Sequence, residues 1–554
     1  MVDKFFRQFI RAGYIVGVAL MIASLPQSKL VLSIAQFVLT GAWILERYNL
    51  RKFRDFYTGN SSWKVISGIV PYSFYLLFDS IACGFKAFFR NKPALIFSSI
   101  YLLHLAGLLF TTDFDYALKD LRTKIPIFIL PLYISTSEAF GKRQFYWLML
   151  LFTASVVVRT MINSWYLFHH YYIDIRDISK PVSHIIVALL ISFTLFTISY
   201  LIIRNRTYTW RLKTALFIVF SWLIVFLVIS QALTGIVVSI ITGILLLIIL
   251  ILKNKKHLIK AALLTFLFIC IGGIYLYMHK VVHDYYAVSP VDTTKLDHYT
   301  SRGNRYIHYP QFHEKENGNY IFTYIQWDEL RMAWNKRSRI NFDSLDKKKQ
   351  KIKFTLIRFM ASKGIRKDED GVNMLTQEDI RYIEKGIANV IYRKEFSIRG
   401  KIYEVLYGYD KYRETGDPTG SSLIQRLEFW KASWGIIKSY WLTGVGTGDM
   451  NEAFQQQYEK MHSMLAKEQR WRSHNQFLSI FVGFGIFGLL WFLFAILYPP
   501  LVMRKFSDYF FLVFFIIVMV SMIPEDTIES QAGVTFFAFF YSLFLFGRKE
   551  EDRI

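Results

Sequence analysis

The chain has 554 residues, of which 53% are hydrophobic and 18% aromatic, and it carries a formal charge of +24. Repeated apolar runs of about 20 residues exclude a soluble globular protein and predict an all-α integral membrane protein. The polar block at 280–473 is only modestly basic, so most of the excess charge sits in short loops between apolar runs. Such a distribution orients a protein in a membrane, which removes nucleic acid as the partner that the charge alone would suggest.

In chain order, the N-terminus is basic (Arg7, Arg11) and then apolar. It lacks a small-residue cleavage site and reads as a retained first span. The loops Arg47–Arg54 and Lys86–Lys92 are both basic and both belong on the cytoplasmic side. The semi-apolar stretch between them, 64–84, holds Pro71, Asp79 and Gly84. It reads first as an interfacial or re-entrant segment and second as a span. Turns at 112–122 and 169–181 fall outside, whereas Lys142–Arg143, Arg204, Lys213 and Lys253–Lys256 fall inside. A run near 258–279 then leads into the polar block at 280–473, which therefore lies outside the cytoplasm. Runs near 476–502, 508–523 and 532–547 follow. Arg504–Lys505 and Arg548–Lys549 place their ends inside, and the Pro524–Glu529 turn outside. The result is about 12 spans, with nine in a membrane region at 1–279 and three in a second at 474–554. Cys83 and Cys270 both lie in apolar segments, so neither a disulfide framework nor a zinc site is expected. No internal repeat is visible, unlike the two-fold architectures common among transporters.

The polar block reads as a mostly helical extracytoplasmic domain. Thr376 caps an amphipathic helix reaching toward Val390, and Gly416–Gly420 forms a turn before a helix capped by Ser421 or Ser422 that carries Arg426. The acidic run Asp368–Asp370 lacks calcium-loop spacing and reads as a solvated turn.

The residues with chemical potential gather between Arg426 and Gln531. Arg426, Trp430 and Trp434 share a helix face at i, i+4 and i+8. That pattern fits a snorkelling arginine in an aromatic stripe, and equally a guanidinium offered to a phosphate. Gly444, Gly446 and Gly448 alternate before Asp449, with no surrounding βαβ unit. They permit close backbone approach, to a substrate or to another helix, and Asp449 is placed to cap a helix running to about Lys467. His474 stands at the water–membrane boundary beside Arg470, Arg472 and Asn475. Nearby cations favour the neutral imidazole over its usual pKa of about 6.5, and a neutral imidazole is what a general base requires. No second histidine or cysteine stands at ligand spacing, so no metal is expected. Glu525, Asp526, Glu529 and Gln531 form a polar turn, either solvated or touching sugar hydroxyls.

These motifs together resemble the O-antigen ligase/polymerase superfamily. The resemblance rests on Arg426-Leu-x-x-Trp430, Gly444-Val-Gly-x-Gly448, His474-Asn475-x-Phe-Leu478 and Gly483-x-Gly485-x-x-Gly488. It extends to Asp113–Leu121 with Lys124-Ile-Pro126, and the block around Ser362–Asp368 is similar to that of Bacteroidota members. The resemblance implies a glycosyltransferase of the GT-C type without cofactor or metal. It would sit in the bacterial inner membrane with its active site facing the periplasm, moving a glycan from undecaprenyl diphosphate to a lipid A–core hydroxyl. A polymerase or a protein O-oligosaccharyltransferase shares the motifs, and a transporter or flippase is the reading from another class. Residue by residue, His474 matches the family's base and Arg426 a diphosphate-binding arginine. A second such arginine is common near the position of Leu233. This chain has Ser230-Gln-Ala-Leu-Thr-Gly235 there, leaving Arg470, Arg472, Arg302 or Arg305 as substitutes.

Overall fold

Helices that are apolar all round gain nothing from water, so a lipid bilayer or the middle of a bundle is where they settle. The computed structural model describes residues 2–59, 62–170, 175–205, 207–287, 296–309, 311–312, 314–393, 397–549 and 551; part of the expected 169–181 turn lies outside them. Among the described residues, ten helices are long and apolar enough to cross a membrane. They are Phe5–Ser24, Lys29–Glu46, Gly68–Arg90, Lys92–Phe110, Lys142–His169, His184–Arg204, Trp210–Ile229, Leu233–Lys253, His257–Tyr286 and Gln476–Val502. The protein is an all-α, multi-pass membrane protein, whose described strands are the short pair Lys315–Glu316 and Asn319–Tyr320.

The last two apolar helices are shorter than the sequence predicts. Tyr509–Ser521 and Gln531–Leu545 have 13 and 15 residues. At 1.5 Å per residue neither alone spans a hydrocarbon core of about 30 Å. They instead fill the centre of the bundle. Every residue from Ala532 to Leu545 is buried, and Phe536, Phe540 and Phe544 interlock with Phe514 and Phe193.

The 64–84 stretch is part of one unbroken helix, Ser62–Arg90, that runs through Pro71 and is long and apolar enough to span. It packs on the end of Lys29–Glu46, where Trp43 meets Phe85 edge-on and Ser80 donates to the Ile44 carbonyl. Lys52 pairs with Asp79 at 3.8 Å, and Phe56 stacks on Tyr72.

The two ends of the bundle differ in chemistry. At one end the basic loops meet. Lys549 pairs with Glu138 at 2.7 Å, Arg11 with the same carboxylate at 3.7 Å, and Arg548 with buried Asp508 at 2.9 Å. Phe140 and Gly547 share a backbone hydrogen bond of 2.7 Å there. At the other end stand Gly107–Asp113, Ser473–Gln476 and Met522–Gln531. The 27-residue Gln476–Val502 helix joins the two ends, a rise of about 40 Å.

The block expected at 280–473 divides into two parts. A compact unit has its own core of Trp334, Leu356, Phe359, Met360, Ile380 and Ile383. In the second part, Phe429, Ala432, Ile436, Phe454 and Tyr458 share a core with Val482 of the Gln476–Val502 helix. The site-bearing helices are therefore continuous with the membrane region rather than with the outer unit. Two local expectations change. The Thr376-capped helix is only Gln377–Glu384, ending before Gly386 at φ +79°. The acidic run is built in rather than solvated: Asp368 caps Gly371 and accepts from Tyr306, while buried Glu369 pairs with Arg302 at 2.7 Å.

Candidate active site

The glycine loop shows how the site is held. Gly444 and Gly446 have φ of +71° and +88°, a region costly for any residue with a Cβ. The loop lies backbone to backbone on the Gln476–Val502 helix: Val445 and Gly446 donate to the carbonyls of Val482 and Gly483, each at 2.9 Å. That helix is opened to accept it, with Gly485 at φ +63° and the Ile486 amide turned to the Trp441 carbonyl. On its far side the loop meets Gly107–Asp113. Thr447 Oγ1 donates to the His104 carbonyl at 2.7 Å, and the Gly448 amide donates to Thr111 Oγ1 at 3.1 Å. Asp449 precedes the Met450–Lys460 helix, which stops short of Lys467. Its carboxylate makes no cap bond to that helix, and instead accepts the amides of Thr112 and Asp113 at 2.9–3.0 Å. Of the two readings of these glycines, close approach to other protein backbone is the one the contacts fill. A Cβ on Gly448 would come 2.1 Å from the Asp113 carbonyl oxygen. Gly448→Ala is accordingly expected to destabilise the protein by about 1–3 kcal/mol, the usual range for overpacking, measured as a lowered melting temperature in detergent.

His474 sits just before the Gln476–Val502 helix, which Asn475 caps by accepting the Leu478 amide at 3.0 Å. The histidine backbone is at φ +44°, a left-handed conformation uncommon outside glycine and typical of strained functional positions. Its amide donates to Asp526 Oδ2 at 3.1 Å, and its ring stacks on Phe429 with centroids 5.4 Å apart. Nδ1 lies 3.3 Å from Glu525 Oε2, while Nε2 makes no hydrogen bond to the described residues. The side chain is 30% exposed. A carboxylate behind Nδ1 fixes the tautomer with Nε2 unprotonated and stabilises the imidazolium once formed. Among the described residues, the side chains hydrogen-bonded to His474 are these two carboxylates, Glu525 and Asp526.

Arg426 reaches the same turn. Nε donates to the Pro524 carbonyl at 2.8 Å, Nη2 to Glu525 Oε2 at 3.3 Å and Nη1 to the Ser422 carbonyl at 3.2 Å. Three of the five guanidinium donors are used, and two are left for an anion. Glu525 thus bridges Arg426 and His474. Trp434, on the same helix, is 52% exposed and apart from these contacts.

Beneath lies a buried charge network that the sequence did not reveal. Lys124, 1% exposed, pairs with Asp120 at 2.5 Å and Glu529 at 2.8 Å. Arg472 pairs with Glu529 at 3.2 Å and lies over the Tyr116 ring. Gln476 donates to Glu529 at 3.2 Å and accepts the Ile528 amide at 2.9 Å, tying the helix to the turn. Asp526 accepts from Ser473 and Ser479. Burial raises the Glu529 carboxyl, but Lys124 and then Arg472 outweigh it and leave it below its usual range. Burial raises the Asp526 carboxyl, against the pull of Arg472. Burial works against the Arg472 charge, yet Glu529 holds its pKa above the usual value.

The other predicted residues lie elsewhere or are engaged. Arg470 donates to the Leu465 carbonyl and faces Glu459 at 3.8 Å. Arg302 belongs to the outer unit with Glu369, and Arg305 stands near it, backbone-bridged to Tyr299. No contact among the described residues joins either to His474. Gln531 reaches Ser33 at 2.8 Å. At the Ser230–Gly235 turn no arginine stands, and Gly235 packs on Ala188 instead. The motif Asp113–Lys124 was the one signal for the buried network, since it places Asp120 and Lys124 one turn apart before Pro126.

An open apolar groove of about 650 Å³ borders the glycine loop, lined by Leu103, Gly107, Phe110, Leu442, Phe484 and Trp491.

Residues 382–493 match the family model described as O-antigen ligase, a match that takes in Arg426, the glycine loop, His474 and Gly488. Over that segment the chain is similar to the O-antigen ligase family. Members of that family are membrane ligases and polymerases of glycosyltransferase type. No curated protein sequence matches it. Within the superfamily match, the buried partners Asp120, Lys124, Asp526 and Glu529 fall outside the matched segment and are joined to it only by folding.

Proposed function

We propose that the protein is a metal-independent, inverting O-antigen ligase. It moves a glycan from undecaprenyl diphosphate to a lipid A–core sugar hydroxyl at the periplasmic face of the bacterial inner membrane. The observation that carries this reading is the Glu525-backed His474 beside Arg426 at the end of the bundle opposite the basic loops.

In the proposed reaction His474 Nε2 takes the proton from the acceptor hydroxyl as its oxygen bonds to the donor's anomeric carbon from the face opposite the diphosphate. The bond from that carbon to the phosphate oxygen breaks, its electron pair stays with the diphosphate, and the anomeric configuration inverts. Glu525 stabilises the imidazolium. Arg426 offers its two free donors to the leaving diphosphate, whose charge grows in the transition state. Arg472, held beneath by Glu529, adds positive potential without being free to move. The diphosphate is already a good leaving group, so a base, a cationic cradle and alignment suffice. The groove of Phe110, Phe484 and Trp491 suits a polyprenyl chain, which is apolar and enters from the lipid side.

Arg426→Lys is expected to lower transfer about 10- to 100-fold, because an ammonium cannot hold the Pro524 carbonyl, Glu525 and a phosphate from one plane. Near-normal activity would reduce Arg426 to an interfacial anchor. The lipopolysaccharide of a deletion strain separates the readings on a gel. Loss of all long chains with lipid-linked polymer accumulating indicates the ligase. A core bearing one repeat unit indicates a polymerase, and normal lipopolysaccharide with unglycosylated proteins indicates the protein transferase.

A further inference from the structure

A second concave site lies at the opposite end of the molecule. The Lys92–Ala106 helix leads away from His104 and Gly107 at the candidate active site, and the Gln476–Val502 helix leads away from His474. Between their far ends is an open pocket of about 540 Å³, lined by Ala87, Arg90, Lys92, Ser135, Tyr498 and Val502. Its chemistry is divided. Arg90 and Lys92 are exposed, and no carboxylate among the described residues pairs with either. The hydroxyl oxygen of Ser135 is shielded from solvent and has no hydrogen-bond partner. Ala87, Pro93 and Val502 supply apolar wall, and the Tyr498 ring lies tilted against Phe494 with centroids 5.0 Å apart.

We infer that this pocket binds the phosphate headgroup of an anionic phospholipid. Two exposed cations, unpaired among the described residues, at the mouth of an apolar crevice match a phosphate ester whose acyl chains continue along the helices. Basic pockets between membrane helices hold anionic headgroups in this way. The pocket lies among the basic loops, at the end that charge alone assigns to the membrane leaflet richer in anionic lipid. A soluble anion would use the cations but leave the wall exposed, so the apolar lining favours lipid over free phosphate. The site is distinct from the transfer site, and its occupancy does not depend on which glycan is moved.

The test uses the full chain in nanodiscs of phosphatidylcholine doped with phosphatidylglycerol, followed by native mass spectrometry of lipid retained after release into detergent. The wild type is expected to keep one phosphatidylglycerol. Arg90→Gln/Lys92→Gln is expected to bind it roughly 20- to 30-fold more weakly, the effect of two basic residues near a lipid surface. Ala87→Trp, which keeps both cations and fills the crevice, is expected to lose it as well. Equal retention of phosphatidylcholine would overturn the inference, as would full retention by either variant. Displacement of the lipid by millimolar inorganic phosphate would assign the cations to a free anion and overturn the lipid. A size-exclusion profile unchanged from wild type establishes that each variant is folded.

Discussion

Glycan transfer by His474→Ala is expected to fall by about 10²- to 10⁴-fold, the usual contribution of a positioned general base. The reasoning is local. Nδ1 is engaged by Glu525, so Nε2 is the free nitrogen that can receive a proton, and alanine offers nothing in its place. The measurement is single-turnover transfer from a lipid-linked donor in proteoliposomes, with the melting temperature as control. Alanine keeps a Cβ, so the left-handed φ of +44° remains as costly as before. The loss of stacking on Phe429 is expected to cost the variant about 1 kcal/mol of stability. Glu525→Gln separates orientation from proton transfer. It keeps the shape, withdraws the charge that stabilises the imidazolium, and should leave activity between wild type and His474→Ala. Transfer at the wild-type rate by His474→Ala would remove the histidine from the chemistry altogether.

Lys124→Met is expected to destabilise the protein by about 3–5 kcal/mol, because it leaves Asp120 and Glu529 as buried carboxylates without their shared cation. Methionine keeps most of the packing volume, so the loss reads the charge rather than a cavity. The double variant Lys124→Met/Glu529→Gln should recover part of the stability, since one of the two stranded charges is gone. A melting temperature equal to wild type for Lys124→Met would show that water or relaxation compensates the pair. The network also sets an acid limit. Glu529 has a folded pKa below its unfolded value because Lys124 and Arg472 outweigh its burial. Its contribution to stability is then complete above the unfolded carboxylate range, near pH 4.5, and disappears as pH falls through the lower folded value. Glu529→Gln should flatten that acid limb in a melting-temperature series from pH 7 downward.

Through Gln476, Arg472 and Ile528, the same network fixes the 522–531 turn against the start of the Gln476–Val502 helix. The positions of Glu525 and Asp526 behind His474 follow from that clamp. A change at Lys124 therefore reaches His474 through the turn.

Much of this protein was legible from sequence order alone. Apolar runs set the membrane class, and basic loops set which turns share a side, because those signals depend on composition within a few adjacent residues. His474, Arg426 and the glycine loop stood out because their motifs are short and contiguous. What folding alone decided lies in the contacts between distant segments. Glu525 read as a solvated loop residue or a sugar contact, and the structure places it between His474 and Arg426. The glycines left two readings open, and backbone packing on Gly483 and Asp113 fills the space a substrate would have used. The 509–545 helices read as ordinary spans, yet their short length, with the complete burial of Ala532–Leu545, makes them the bundle's centre. Asp120 and Lys124, one helical turn apart, form one ionic cluster with Glu529, which lies 405 residues beyond Lys124 in the chain. Hydropathy and spacing report what a residue prefers as its solvent. Which carboxylate meets which cation in the low dielectric of the bundle is a property of tertiary packing, and that pairing is what sets the histidine's orientation and the site's stability.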